Sequence, residues 1–509
     1  MLGRREFLRG AAGAGALSLT QPWVPLGQSQ AGAVTRSALP APASAPFDHV
    51  IVLMFENRSF DHVLGWLPGA DGRQAGLTYT DTSGATYPTY QLAPDFQGCG
   101  YADPDHSWEG GVKQLNGGKL DGFLRTATPG DTFPIGYYKA DGVPILGSLA
   151  RNYTTLDRYF CSILAETFPN RFYQHAARTD RDHNNGISQT SLSPTIWDRL
   201  AAGGLTGRYY SVDEPFIGLW GTKYLSITHP VTDFLTDAAS GTLPNVAFVD
   251  PSFANEGQGQ SGDYHPHGDV RTGESYLAQI YHAVRSSPAW DRTVLVVNFD
   301  EWGGFFDHVV PPLAADDTVR AAMTKPGDPH PDYRQLGFRV PCIVISPFSA
   351  ARIVHDGPYE HTSVLKMIEW RWGLPALTLR DASARNLAEV LDFSLRRTDV
   401  PNIASPAFFP SVACGPTSTP ASPPAKITAS PPGTSPTSPT PSAPTAAPAG
   451  SATSGTSGSL PATGTSLPLL GAGAVAVTGG MALRHAARKL AQAEACRPAL
   501  VDADDERAP

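Results

Sequence analysis

Val50-Ile51-Val52-Leu53-Met54-Phe55-Glu56-Asn57-Arg58-Ser59-Phe60-Asp61-His62 is the stretch from which the fold can be read. Its first six residues are apolar without interruption. A run this short, halted by Glu56-Asn57, reads as a strand buried on both faces. Residues 246–249, 293–299 and 340–345 read the same way. Helical patterns separate these runs. Over 273–286, Leu277, Ile280, Tyr281 and Val284 share one face; over 363–372, Val364, Leu365, Ile368 and Trp372 do, with Gly373 at the helix stop. Apolar strands alternating with helices predict an α/β fold with both sheet faces covered. No internal repeat is visible.

In open α/β sheets, ligands bind beyond the carboxyl ends of the strands. Glu56-Asn57 follows the first strand, and Asp300-Glu301 follows the strand ending at Phe299. Any one of these carboxylates alone reads as a surface or capping group. Two acidic pairs behind two buried strands read as oxygen ligands for a divalent cation. A third segment, Glu166-Thr167-Phe168-Pro169-Asn170-Arg171, precedes a helical pattern over 172–178. Pro169 fits a first helical turn, which puts Thr167 at or beside a helix N-terminus, where backbone N–H groups attract phosphate. A threonine hydroxyl needs a base or a metal to become a nucleophile. Without the acidic pairs, Thr167 reads only as a helix cap. Arg171 is expected to hold a phosphoryl oxygen.

Taken with Asp300-Glu301 through Phe306-Asp307-His308-Val309 and with Tyr359-Glu360-His361-Thr362-Ser363, these segments resemble the bacterial phosphoesterase family. That family contains phospholipases C and acid phosphatases. The resemblance spans most of 47–393. It implies an alkaline-phosphatase-like three-layer sandwich, with a central, mostly parallel sheet between helices. It also implies one divalent metal (calcium, zinc, manganese or iron) on Glu56, Asn57, Asp300, Glu301 and the Thr167 hydroxyl. His106, His265 and His308 match the family's histidines around the phosphate. His361 and Asp307 match positions of a supporting shell, and His267 is extra. Glu360 stands where the family often has Asp, and Trp302 where it often has a small or polar residue.

The implied activity is hydrolysis of a phosphoester through a Thr167 nucleophile, on phospholipid headgroups as a phospholipase C. An acid phosphatase of the same family is the first alternative. A wall-anchored binding protein on an inactive hydrolase fold is the second.

The chain has 509 residues, 38 basic against 47 acidic, and a formal net charge of −9. That balance excludes a broad electrostatic footprint for nucleic acid. Cysteines at 99, 161, 342, 414 and 496 include no CxxC pair. The first four suit disulfides in an oxidising compartment, with connectivity open; buried free thiols suit Cys161 and Cys342 equally well.

The two ends read as addresses. Arg4-Arg5 with Phe7-Leu8 and a soft apolar run resembles a twin-arginine signal over 1–33, followed by a linker over 34–46. A catalytic domain is expected over 47–413 and a solvated Pro/Ser/Thr/Ala/Gly stalk over 414–459. Leu460-Pro461-Ala462-Thr463-Gly464, an apolar span over 467–483 and a basic stop beginning at Arg484 resemble a cell-wall sorting signal, with a tail over 484–509. This implies cleavage between Thr463 and Gly464 by a sortase, attachment to peptidoglycan, export by the twin-arginine translocase and an extracellular location. A plain membrane anchor is the alternative.

Overall fold

The computed structural model describes residues 39–187, 189–318, 331–399, 401–415 and 424–427. The opening apolar run forms β1 (His49–Phe55), in which Val50 through Phe55 are all buried. Burying each such side chain contributes about 1.5–3 kcal/mol. Two short ribbons follow: β2 (Thr78–Thr80) with β3 (Thr86–Pro88), and β4 (Tyr90–Gln91) with β5 (Gly136–Tyr137). The remaining strands are β6 (Thr154–Leu156), β7 (Gly207–Ser211), β8 (Thr228–Pro230), β9 (Val246–Asp250), β10 (Thr293–Phe299), β11 (Cys342–Ile345) and β12 (Arg352–Val354). With β1 they make an eight-stranded sheet in the order β12-β6-β11-β10-β1-β9-β7-β8. β1 lies parallel between β10 and β9, with Phe55 opposite Phe299 and Leu53 opposite Val249. β11 runs antiparallel to both of its neighbours, so the sheet is mostly, not wholly, parallel. The expected α/β sandwich is therefore the fold.

The α-helices among the described residues are α1 (Phe60–Leu64), α2 (Trp108–Leu115), α3 (Pro144–Asn152), α4 (Thr167–Ala176), α5 (Ile196–Ala202), α6 (Val231–Ser240), α7 (Val270–Arg285), α8 (His361–Trp372) and α9 (Leu379–Ser383). α3 and α6 pack on α7, while α5 and α8 pack on α4. These two helical sets cover a sheet whose central strands are buried on both faces.

Helix starts fall earlier than hydrophobic periodicity places them, because polar caps set them. Asp269 accepts the Arg271 N–H and starts α7 at Val270. Glu360 accepts the Thr362 N–H while Ser363 accepts the Glu360 N–H, a capping box that starts α8 at His361. Glu360 also pairs with Arg380 at 3.3 Å. α4 begins at Thr167 with Pro169 in its first turn, as expected. α8 ends where Gly373 enters the left-handed region, as expected. Trp302 is fully buried, packs on Phe338 and donates to Gln114 Oε1 at 2.8 Å.

Cys99 and Cys414 are disulfide-bonded, whereas Cys161 and Cys342 are buried free thiols. No helix among the described residues is long and apolar enough to cross a membrane. The export signal, most of the stalk, the pentapeptide with Thr463 and Gly464, the apolar span over 467–483 and Cys496 lie outside the described residues.

Candidate active site

β1, β9 and β10 end side by side, and each is followed or closed by acidic residues: Glu56-Asn57, Asp250 and Asp300-Glu301. The strand ends are fastened by backbone contacts. Asp300 N donates to Phe55 O at 3.0 Å, Glu56 N to Asp263 O at 2.9 Å and Arg58 N to Glu301 O at 3.1 Å. Asn57 adopts φ 58°, a left-handed conformation that asparagine tolerates better than most residues. Its N–H donates to Asp300 Oδ1 at 3.3 Å. Gly303, at φ 65°, passes so close that an added Cβ would sit 2.1 Å from Asn57 O. Only glycine lets the two acidic loops approach this far.

Helix α4 meets these strand ends through Arg171. Thr167 is its first residue and is 6% exposed. One turn later, Arg171 Nε donates to Asp300 Oδ2 at 2.9 Å, and Nη1 donates to Asp250 Oδ1 at 3.2 Å. Its Nη2 lies 3.2 Å from Glu56 Oε1. Thr167 stands four residues before Arg171, on the same face of the helix.

Two expectations are refined. Arg171 is tied to buried acids through Nε and Nη1, while its buried Nη2, 3.2 Å from Glu56 Oε1, makes no hydrogen bond. The helix N-terminus is also a smaller anion cradle than the sequence suggested. The Phe168 N–H already donates to Asn185 Oδ1 at 2.7 Å, Asn170 N to Glu166 O at 3.4 Å, and Pro169 has no N–H.

The residues present fit a divalent cation. Asn57 Oδ1 and Glu301 Oε1 are buried and accept no hydrogen bond. They are oxygens of the kind hard cations take. Burial first, then the charges of Glu256 and Asp300, hold the Glu56 carboxyl well above its ordinary range. Burial likewise raises Asp300 and Glu301, and pushes Asp250 up to about 6 against the opposing charge of Arg171. Buried acids in this number demand more positive charge than Arg171 supplies.

Two of the expected histidines join this group. His106 Nδ1 donates to Pro104 O at 2.8 Å, and its Nε2 lies 3.4 Å from Asn57 Nδ2. Burial opposes its protonation, but the charges of Glu301 and Asp103 outweigh it and raise its pKa to about 9. His265 stacks edge-on against His106, with ring centroids 5.7 Å apart. Its Nε2 stands 3.9 Å from Asp103 and 4.0 Å from Glu256. Burial lowers its pKa to about 4. Ligand atoms of Glu56, Glu256 and His265 lie within 4.8 Å of one another, as do those of Asp103, His106 and His265.

His308 stands elsewhere. Its Nδ1 pairs with Asp61 and its Nε2 lies 3.1 Å from Asp71. Asp61 and Asp307 are already tied to the buried Arg339 at 3.1 and 3.0 Å. None of its described contacts joins it to Thr167, Arg171 or the acids of the strand ends. The ligand atoms of Asp61, Asp307 and His308 lie within 4.8 Å of one another. His361 has a supporting place: Nε2 donates to the carbonyl of Phe299, the residue before Asp300, at 3.1 Å, and Nδ1 faces Ser162 Oγ at 2.9 Å. His267 stacks on Phe133.

Sequence reading missed Asp250, Glu256, Asp263 and Asp103. Asp250 directly follows the apolar run 246–249, so the strand-end rule finds it. The other three sit on loops without periodicity. A surface cavity of about 520 Å³ at the end of α7, lined in part by His282, Arg285 and Trp290, contains none of these groups.

A phosphoesterase family model matches residues 47–221 and 218–375. Phospholipase C B of Mycobacterium tuberculosis is 32% identical over 414 residues, covering 68% of this chain and 78% of that protein. Phospholipase C A of the same organism is 30% identical over 474 residues, covering 80% and 88%. Non-specific phospholipase C6 of Arabidopsis thaliana is 30% identical over 395 residues, covering 70% and 74%. Among solved structures, a protein in the alkaline phosphatase superfamily from Vibrio parahaemolyticus matches at TM-score 0.33 and 12% identity, over 69% of this chain and 71% of that one.

Proposed function

Because the chain belongs to the phosphoesterase family, we propose that it is a phospholipase C that cleaves phospholipid headgroups with Thr167 as the attacking group. It is a phosphoric ester hydrolase by that membership. One observation carries the finer reading. Thr167 opens the helix whose next turn, at Arg171, touches both Glu56 and Asp300.

Glu56, Asn57, Asp300 and Glu301 would hold a divalent cation, with the Thr167 hydroxyl beside it. Such an ion, when bound, polarises a phosphoryl oxygen and lowers the pKa of a nearby hydroxyl. Thr167 Oγ gives its proton to solvent and attacks phosphorus, the bond to the leaving oxygen breaks, and a phosphothreonine forms. His106 gives its Nε2 proton to that leaving oxygen. Water then cleaves the phosphothreonine and frees the phosphorylated headgroup. His265, neutral and donating through Nδ1 to Pro266 O, keeps its Nε2 lone pair turned toward the site. Arg171 holds Glu56, Asp250 and Asp300 in register throughout.

The chain ends support an exported enzyme attached to the wall through Thr463. Fractionation of cells carrying Thr463→Ala tests this, with release from the wall fraction expected. For the activity, a panel of p-nitrophenyl phosphate, phosphatidylcholine and phosphatidylinositol decides. Diacylglycerol release from a phospholipid supports the reading. Turnover of p-nitrophenyl phosphate alone would assign a phosphomonoesterase instead.

A further inference from the structure

The loop between α4 and α5 carries Ile187, 74% exposed, and Leu192, 89% exposed. Isolated exposed aliphatic side chains are ordinary on protein surfaces. The placing of these two is not. The loop is fastened on both sides of Thr167: Asn185 N donates to Glu166 Oε2 at 2.8 Å, and Phe168 N donates to Asn185 Oδ1 at 2.7 Å. Further along, Ser191 N donates to Leu219 O at 2.9 Å. Leu219 belongs to the short turn Phe216–Trp220, whose Phe216 and Trp220 rings pack on Phe172 of α4 at 5.5 and 4.5 Å. One surface thus runs from the start of the Thr167 helix out to Ile187 and Leu192.

The charge pattern of that surface is selective. Residues 184–197 and 215–222 carry no charged side chain, in a chain of net charge −9. Around His265 the site is acidic, with Asp103 and Glu256 partly exposed. An uncharged tip can leave water without stranding an ion. An acidic rim repels an anionic surface and suits headgroups that end in a cation.

We propose that Ile187 and Leu192 form a docking tip that enters the surface of a zwitterionic phospholipid bilayer and brings a headgroup to Thr167. This rests on the phospholipase C reading above. The tip holds the enzyme at the lipid surface and takes no part in bond cleavage.

The test uses the full chain and the double variant Ile187→Asp/Leu192→Asp. Sedimentation with phosphatidylcholine vesicles reads docking. Turnover on those vesicles and on water-soluble p-nitrophenyl phosphorylcholine reads catalysis. Removing two aliphatic insertions is expected to weaken vesicle binding on the order of 100-fold, about tenfold for each. Vesicle turnover falls in parallel, and turnover of the soluble substrate stays within about twofold. Wild-type chain also binds phosphatidylglycerol vesicles more weakly than phosphatidylcholine vesicles. Equal binding by variant and wild type, or preference for the anionic vesicles, would overturn the proposal. If wild type hydrolyses phospholipid and the variant does so equally well, only the docking tip falls. If no phospholipid is hydrolysed in any form, the phospholipase C reading falls, and sedimentation still decides the tip.

Discussion

Arg171 Nη2 lies 3.2 Å from Glu56 Oε1, which locks the helix beginning at Thr167 to the end of the central strand β1. The same guanidinium reaches Asp250 at the end of β9 and Asp300 after β10. Three strand ends and one helix N-terminus are thereby gathered around a side chain only 2% exposed.

Removing that guanidinium leaves three buried carboxylates without their partner. Arg171→Ala is expected to destabilise the protein by about 3–5 kcal/mol. Arg171→Lys restores little, because a compact ammonium cannot span three carboxylates as a planar fork does. Urea denaturation measures both. An arginine whose role was to bind phosphate would instead raise KM and leave stability unchanged.

Gly303→Ala places a methyl group against Asn57 O, at a backbone conformation strained for any L side chain. One of the two acidic loops must move. The expected result is a loss of bound divalent metal and at least a tenfold fall in turnover, with a stability cost of about 1–3 kcal/mol. Elemental analysis beside a turnover assay checks it. Unchanged metal content would show that the two loops need not touch.

The strand ends were legible because uninterrupted apolar runs have one physical reading, and the acids that stop them stand where the sheet opens. Glu56, Asn57, Asp300 and Glu301 were found that way. Asp250 follows by the same rule, though it stands alone and not as a pair. Glu256, Asp263 and Asp103 reach the site on loops whose paths depend on tertiary contacts, such as the bond from Glu56 N to Asp263 O. His308 shows the converse. Its place in a recognised motif suggested phosphate, but Asp61, Asp71 and Arg339 surround it. The three carboxylates around Arg171 are distant from it in sequence, so only its positive charge is legible there.

His308 makes stability depend on pH. Burial opposes its protonation, but the hydrogen bond and charge of Asp61, helped by Asp307, raise its pKa despite Arg339. Asp71, on its other nitrogen, is held down to about 2: burial opposes ionisation there, and hydrogen bonds from Arg158 and His308 overcome it. A raised histidine pKa stabilises the folded state fully below the unfolded value of about 6.5, and the contribution is lost as pH rises through the folded value. His308→Asn should therefore flatten the fall in Tm above about pH 6.5. A variant with the wild-type Tm–pH slope would show that the cluster does not titrate with folding.

The disulfide between Cys99 and Cys414 spans 315 residues. Near it, Gln97 Nε2 donates to Val412 O at 2.8 Å and Cys414 N to Gln258 O at 2.9 Å. Replacing both cysteines by serine should cost about 2–5 kcal/mol, chiefly by freeing the unfolded chain. Thermal melts with and without reductant check this: reductant lowers the Tm of wild type and leaves that of the double variant unmoved.

The most direct measurement is turnover by the Thr167→Ala protein, on the best substrate of the panel, in a sample shown to be folded and metal-loaded. Loss of the attacking oxygen should cut kcat by at least about 1000-fold, while Thr167→Ser keeps a measurable share. Wild-type turnover from Thr167→Ala would contradict a threonine nucleophile.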